Sequence, residues 1–154
     1  MKKYFETAVK HTARLEDGSA KKVTDIYLVE ATSFTEAETR TIEFIAPYYD
    51  DFAVVREKIS TFSEVLTPNV YDNGVYYSAK VVFIILDENT GKEKKSAQRI
   101  CVYADTPNEA IFIIDQTLKN SMTDYVIEEL KATNITDIIA YEEKNLHNSE
   151  VSNG

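Results

Sequence analysis

The chain has 154 residues, 44% hydrophobic and 28% charged, with a net charge of −9 and a pI near 4.7; a domain of this length buries roughly 70% of its unfolded surface, enough for a real core, and so acidic a total disfavours duplex DNA, whose phosphates call for a broad basic face. Cys101 is the single cysteine, which excludes an internal disulfide framework and multi-cysteine zinc motifs. No apolar run approaches the ~18 residues a membrane helix needs, and only Met1 to Lys3 precede the first strand-like run, so the expectation is a soluble, cytoplasmic protein without a cleavable leader or a membrane partner.

From Tyr4 to Arg14 apolar and polar residues alternate loosely, the pattern of a half-buried strand. Asp17-Gly18 then supplies residues that tolerate the positive φ of a tight turn, and Val23 to Ala31 returns as the second strand of a hairpin. Ser33 followed three positions later by Glu36 predicts a capping box and a helix start. Ala37, Ile42, Phe44 and Ile45 offer that helix an apolar face, and Pro47 stops it. Phe52 to Leu66 reads as a third strand with an irregular continuation.

The same order recurs. Tyr76 to Leu86 is strand-like, Asp87 to Gly91 a turn, and Ala97 to Ala104 the returning strand. Thr106, Pro107 and Glu109 form a second helix start, with Pro suited to the first turn because its missing amide is not needed there. A shift of 73 positions places Gly18 on Gly91, Lys21-Lys22 on Lys94-Lys95, Ala31 on Ala104, and Glu36-Ala37 on Glu109-Ala110. The predicted fold is α+β: two tandem strand-strand-helix-strand repeats forming antiparallel sheet or sheets with the helices packed on one face. Residues 1–141 are read as one domain, repeat one spanning 3–67 and repeat two 75–141, with a turn-rich connector from Thr67 to Gly74 and a flexible polar tail over 142–154. The continuous apolar run Val81 to Leu86 suggests a central strand, while Lys10, His11 and Arg14 suggest that the first strand lies at an edge or faces water.

The runs Lys21 to Glu38, Asp87 to Lys95 and Met122 to Ile127 resemble a family of small proteins of unknown function from Bacteroides-group bacteria and their phages. The resemblance extends from about Tyr4 to Tyr141 and implies an origin, but no activity, cofactor or site residues.

No spacing of residues points to catalysis, a cofactor or a metal. His11 falls on a strand and His147 in the tail, both read as surface residues. Cys101, between Ile100 and Val102, is read as a buried inert thiol. Paired carboxylates such as Asp50-Asp51 and Glu128-Glu129 lack the glycine-punctuated spacing of a calcium loop, and the dispersed glycines make no phosphate loop. The expectation is therefore a non-enzymatic module that binds a protein partner, or itself as a homo-oligomer, through a sheet face or edge.

The constellation that stands out is basic. Lys21 and Lys22 in the first hairpin, and Lys92, Lys94, Lys95 and Arg99 in the second, occupy equivalent places. With Tyr4 and Tyr77, and with Phe5, Tyr27, Tyr76 and Tyr103 nearby, they define an alternative: accessory binding of single-stranded nucleic acid, with bases stacked on rings and lysines along the backbone. A third reading is a small ligand held between the repeats.

Overall fold

The computed structural model describes residues 3–68 and 73–141. Part of the expected connector, residues 69–72, and the expected tail, 142–154, lie outside the described residues. In chain order the elements are β1 (Lys3–Arg14), β2 (Ala20–Ala31), α1 (Phe34–Ile45), β3 (Phe52–Ile59), β4 (Phe62–Leu66), β5 (Val75–Leu86), β6 (Glu93–Ala104), α2 (Pro107–Leu118), β7 (Asp124–Ala132) and β8 (Ile135–Ile139). They form an α+β structure of two four-stranded sheets and two helices, ordered β3-β1-β2-β8 and β4-β6-β5-β7. The described residues divide into two compact units: one takes residues 3–60 together with 137–141, the other those between Thr61 and Thr136. No helix among the described residues is long and apolar enough to cross a membrane.

In the first unit, Gly18 adopts φ +87, a conformation that favours a residue without Cβ. Its amide donates to the Leu15 carbonyl at 3.0 Å while Leu15 donates to Ser19 at 2.9 Å. The turn sets the register of β1 and β2 from Arg14 opposite Ala20 to Lys3 opposite Ala31. Strand alternation then puts Phe5, Thr7, Val9 and His11 on one face. α1 covers that face. Ser33 Oγ accepts the Glu36 amide at 3.1 Å, a cap worth about 1 kcal/mol, and the helix buries Ala37, Thr41 and Ile45, spaced four apart. Phe5, Val9, Tyr27, Val29, Ala31, Ala37, Ile45 and Ile139 form the core of this unit. Ile42, expected on the buried face, is exposed instead; five residues after Ala37 it sits about 140° around the helix at 3.6 residues per turn, and Thr41 takes the place.

The second unit follows the same plan. Gly91 has φ +69, β5 and β6 pair from Leu86 opposite Glu93 to Val75 opposite Ala104, and Thr106 Oγ1 accepts the Glu109 amide at 3.1 Å with Pro107 in the first turn. Tyr77, Ala79, Val81, Ile100, Val102, Ala104, Ala110 and Ile114 make its core.

Three expectations need correction. The run from Phe52 to Leu66 is two strands, broken at Ser60-Thr61, and β4 pairs with β6 in the other unit. That pairing is parallel, so the second sheet is not purely antiparallel. β1 is an inner strand, flanked by β3 and β2, because Lys10 and Arg14 point away from the face that Phe5, Val9 and His11 bury. β5 is indeed central, between β6 and β7. The edge strands β3 and β7 each carry a bulge, at Val55 and at Glu128, and exposed charges including Arg56, Lys58 and Lys131, both of which discourage addition of a further strand.

Candidate functional site

The basic constellation sits on two hairpin arms, one in each unit. In the second unit, pairing with β7 ends at Ile84 opposite Asp124, and pairing with β4 reaches only as far along β6 as Arg99. Beyond Ile84 the hairpin is two-stranded. Ile85 faces Lys94, Leu86 faces Glu93, and the turn is fixed by Asp87 N–H to Lys92 O at 2.9 Å and Gly91 N–H to Asp87 O at 2.7 Å. Asp87 Oδ1 also accepts the Asn89 amide at 2.9 Å. On this held tip, Ile85 is 45% and Leu86 62% exposed, beside exposed Lys92, Lys94 and Lys95. Alternation places Lys94 with Ile85 on one face and Lys95 with Ile84 on the other.

The arm of the first unit is similar in outline. Pairing of β1 with β3 ends at His11 opposite Phe52, and Thr12, Ala13 and Arg14 continue with Lys22, Lys21 and Ala20 alone. Lys21 and Lys22 are exposed, as is Leu15 beyond the strand end. Lys22 Nζ lies 3.3 Å from Asp51 Oδ2, which Thr12 also reaches.

Charge on the arms is close to balanced. From Lys10 to Asp25 four cations (Lys10, Arg14, Lys21, Lys22) stand against three carboxylates (Glu16, Asp17, Asp25), and from Leu86 to Arg99 four (Lys92, Lys94, Lys95, Arg99) against three (Asp87, Glu88, Glu93). Asp51 pairs with Lys22, and Glu129 lies 3.7 Å from half-buried Arg99, which also donates to Ser78 Oγ at 3.4 Å. The rings are largely withdrawn. Tyr77 is 7% exposed in the core of its unit, and Phe5 and Tyr27 are buried, leaving Tyr4, Tyr76 and Tyr103 half-buried. The structure thus brings lysines together with aliphatic side chains on each arm, and takes Tyr77 out of any stacking surface.

A polar cluster that sequence reading missed lies in the first unit. His11, read as a surface residue, is 4% exposed. Its Nε2 lies 2.7 Å from Asp25 Oδ2, the Tyr27 hydroxyl donates to the same oxygen at 3.1 Å, and the imidazole stacks on Tyr49 at 3.9 Å. Burial, and then the charge of Asp25, push the Tyr27 hydroxyl well above its ordinary range. The Nδ1 of His11 is buried without a partner. The stack of His11 on Tyr49 fastens the segment between α1 and β3 to the sheet. The signal was available, since His11 shares its strand face with Phe5, Thr7 and Val9.

Cys101 is fully buried, on the strand face opposite Ile100 and Val102, and burial alone pushes its thiol up to about 12, the state of an unreactive cysteine. Among the described residues no three His, Cys, Asp or Glu side chains are grouped to hold a metal ion. Comparison with curated proteins returns no match. Residues 3–141, a span that includes every described residue, match the family described as "Domain of unknown function (DUF4494)", and the chain belongs to that family.

Proposed function

We propose that the chain is a non-enzymatic interaction module, working in the cytoplasm, whose hairpin arms bind a protein partner. The observation that carries this reading is the tip of the second arm, where Ile85 on one face and Leu86 on the other are both exposed, among Lys92, Lys94 and Lys95. Isolated exposed aliphatics are ordinary on a protein surface. Here an aliphatic side chain is exposed on each face of one two-stranded arm, Ile85 beside Lys94 and Leu86 beside Glu93, and hydrogen bonds at the turn hold the arm ready, so little entropy is lost on binding. The lysines define the complement: an apolar surface rimmed by carboxylates, with charge steering the encounter. Two arms on one chain support the further reading that the halves are copies of one unit, each presenting the same device. Cys101 held as a thiol is consistent with a reducing compartment. Near-balanced arm charges and buried Tyr77 weigh against the nucleic-acid alternative, which needs net positive charge and open rings.

A photo-crosslinking phenylalanine at position 86, compared with one at exposed Glu43 on α1, tests the proposal in cells of the native host. An adduct of defined mass from position 86 alone, weakened by Lys94→Glu with Lys95→Glu, is expected. Adducts of the same pattern from both positions, or none from 86, overturn it.

A further inference from the structure

Each half of the chain gives its fourth strand to the other unit. β4 from the first half lies beside β6, and β8 from the second half lies beside β2. The crossings are short and pinned. Ser60, after β3, donates its amide to Tyr4 O at 2.8 Å; Thr133, after β7, donates its amide at 2.9 Å and its hydroxyl at 2.6 Å to Tyr76 O. Both residues thereby prolong the ladder of the strand they follow, leaving only Thr61 before β4 and Asn134 before β8. Neither fourth strand folds back beside the strand that precedes it.

The two exchanged strands also match. Phe62-Ser63-Glu64-Val65-Leu66 and Ile135-Thr136-Asp137-Ile138-Ile139 both read apolar, hydroxyl, carboxylate, apolar, apolar. Leu66 packs against the core of the second unit and Ile139 belongs to that of the first. Each half therefore lacks one strand, carries one for a complementary half, and is directed outward to find it.

We propose that a second copy of this chain is a partner, met by exchange of fourth strands: the first half of one copy completes the second half of the other, and the reverse. Every strand position is filled in such a dimer as it is in the single chain, so the two forms differ in the path between β4 and β5 and in their dependence on concentration. A short linker holds the halves of one chain at an effective concentration of about millimolar. The single-chain form therefore prevails at micromolar protein, and the exchanged dimer emerges near millimolar or when the path from β4 to β5 is too short to close. This inference does not depend on the hairpin arms, and the two proposals fail separately.

Complementation between full-length chains tests it. Leu66→Asp in one copy spoils β4, and Ile139→Asp in a second, differently tagged copy spoils β8. In the exchanged dimer one of the two pairs holds an intact β4 and an intact β8. Refolding the two variants together from denaturant at roughly millimolar concentration is expected to yield a species of twice the mass, carrying both tags and regaining the wild-type unfolding transition that each variant alone has lost. Absence of a two-tag species, or a two-tag species that assembles without denaturant and restores no transition, overturns the proposal. Should either variant fail to refold, wild-type chains bearing the two tags must still give the mixed dimer after joint refolding, and deletion of residues 69–72 must shift the chain toward dimer at micromolar concentration; a monomer in both measurements overturns the proposal equally.

Discussion

Thr7 on β1 and Thr41 on α1 are both fully buried, with their hydroxyl oxygens 3.0 Å apart. Thr41 Oγ1 also donates to the Ala37 carbonyl at 2.8 Å. A hydroxyl has one hydrogen, so Thr41 spends its own on Ala37, and Thr7 must be the donor between the two. The consequence is an asymmetry that can be measured. Thr41→Val keeps the shape of the side chain and nearly the same helix propensity, but strands the Thr7 hydroxyl inside the core, at a cost of about 1–3 kcal/mol. Thr7→Val removes the donor and leaves Thr41 still bonded to Ala37, so only one neutral hydrogen bond is lost, about 0.5–1.5 kcal/mol. With both replaced, no buried donor is orphaned and the double variant should be more stable than Thr41→Val alone. Equilibrium urea unfolding of the four proteins, followed by far-UV circular dichroism, gives the cycle. A double variant whose loss equals the sum of the singles, or a Thr7→Val loss larger than that of Thr41→Val, refutes the assignment of donor and acceptor.

Cys101 should resist modification. With its thiol pushed up to about 12 by burial, it carries roughly a thousandfold less thiolate at pH 8 than a free cysteine, whose pKa is about 8.5, so maleimide labelling should wait for denaturant; rapid labelling of the native chain contradicts the burial. The sign for stability follows from a folded value above the unfolded one: the contribution of the protonated thiol is intact below about pH 8.5 and is lost as pH rises toward about 12. Cys101→Ala should flatten the alkaline decline in that window. At the end of β8, Tyr141 lies under the Arg40 guanidinium at 4.3 Å, donates its hydroxyl to Glu36 and its amide to Glu30, and Arg40 bonds the Ala140 carbonyl at 2.8 Å. The hydroxyls of Tyr141 and Thr32 hold the Glu36 carboxyl below its usual range. Tyr141→Ala should speed amide exchange at Ile139 about two- to fivefold, the equivalent of an exposed cation–π contact, while Tyr141→Phe should let Glu36 titrate closer to its ordinary range; unchanged exchange and titration would dismiss this latch.

Local features were legible because their chemistry is local. Asp17-Gly18 and Gly91 marked the turns, since positive φ is a property of single residues, and Ser33 and Thr106 marked the helix starts through bonds spanning three positions. The crossing of β4 was not legible. Ser60-Thr61 is neither glycine nor proline, and the bond that holds Ser60 is made to Tyr4, far away in sequence. Nothing in Phe62 to Leu66 alone says that its neighbour is β6, more than thirty positions on. His11 was misjudged because residue type was weighed above strand parity, and burial of an imidazole depends on Asp25 and Tyr49, which fold in from other elements. At the candidate site the lysines lay where hairpin turns put them, but the depth of Tyr77 depended on which face of β5 the helix α2 covers.

The exchanged strands bear on how the chain emerges from the ribosome. The first sheet can pair β1, β2 and β3 once Ile59 has been made, yet its fourth strand ends at Ile139, about 80 residues later, and the Tyr141 amide bond to Glu30 spans 111 positions. At 5–20 residues per second translation takes roughly 4–16 s to cover that gap. Throughout it the outer backbone groups of β2 are an open template for any other strand, and closure of so long a loop is intrinsically slow. Nascent chains of this protein should therefore depend on chaperone holding between residue 60 and residue 139 more than after release, and neighbouring chains on one polysome are the nearest source of a matching fourth strand.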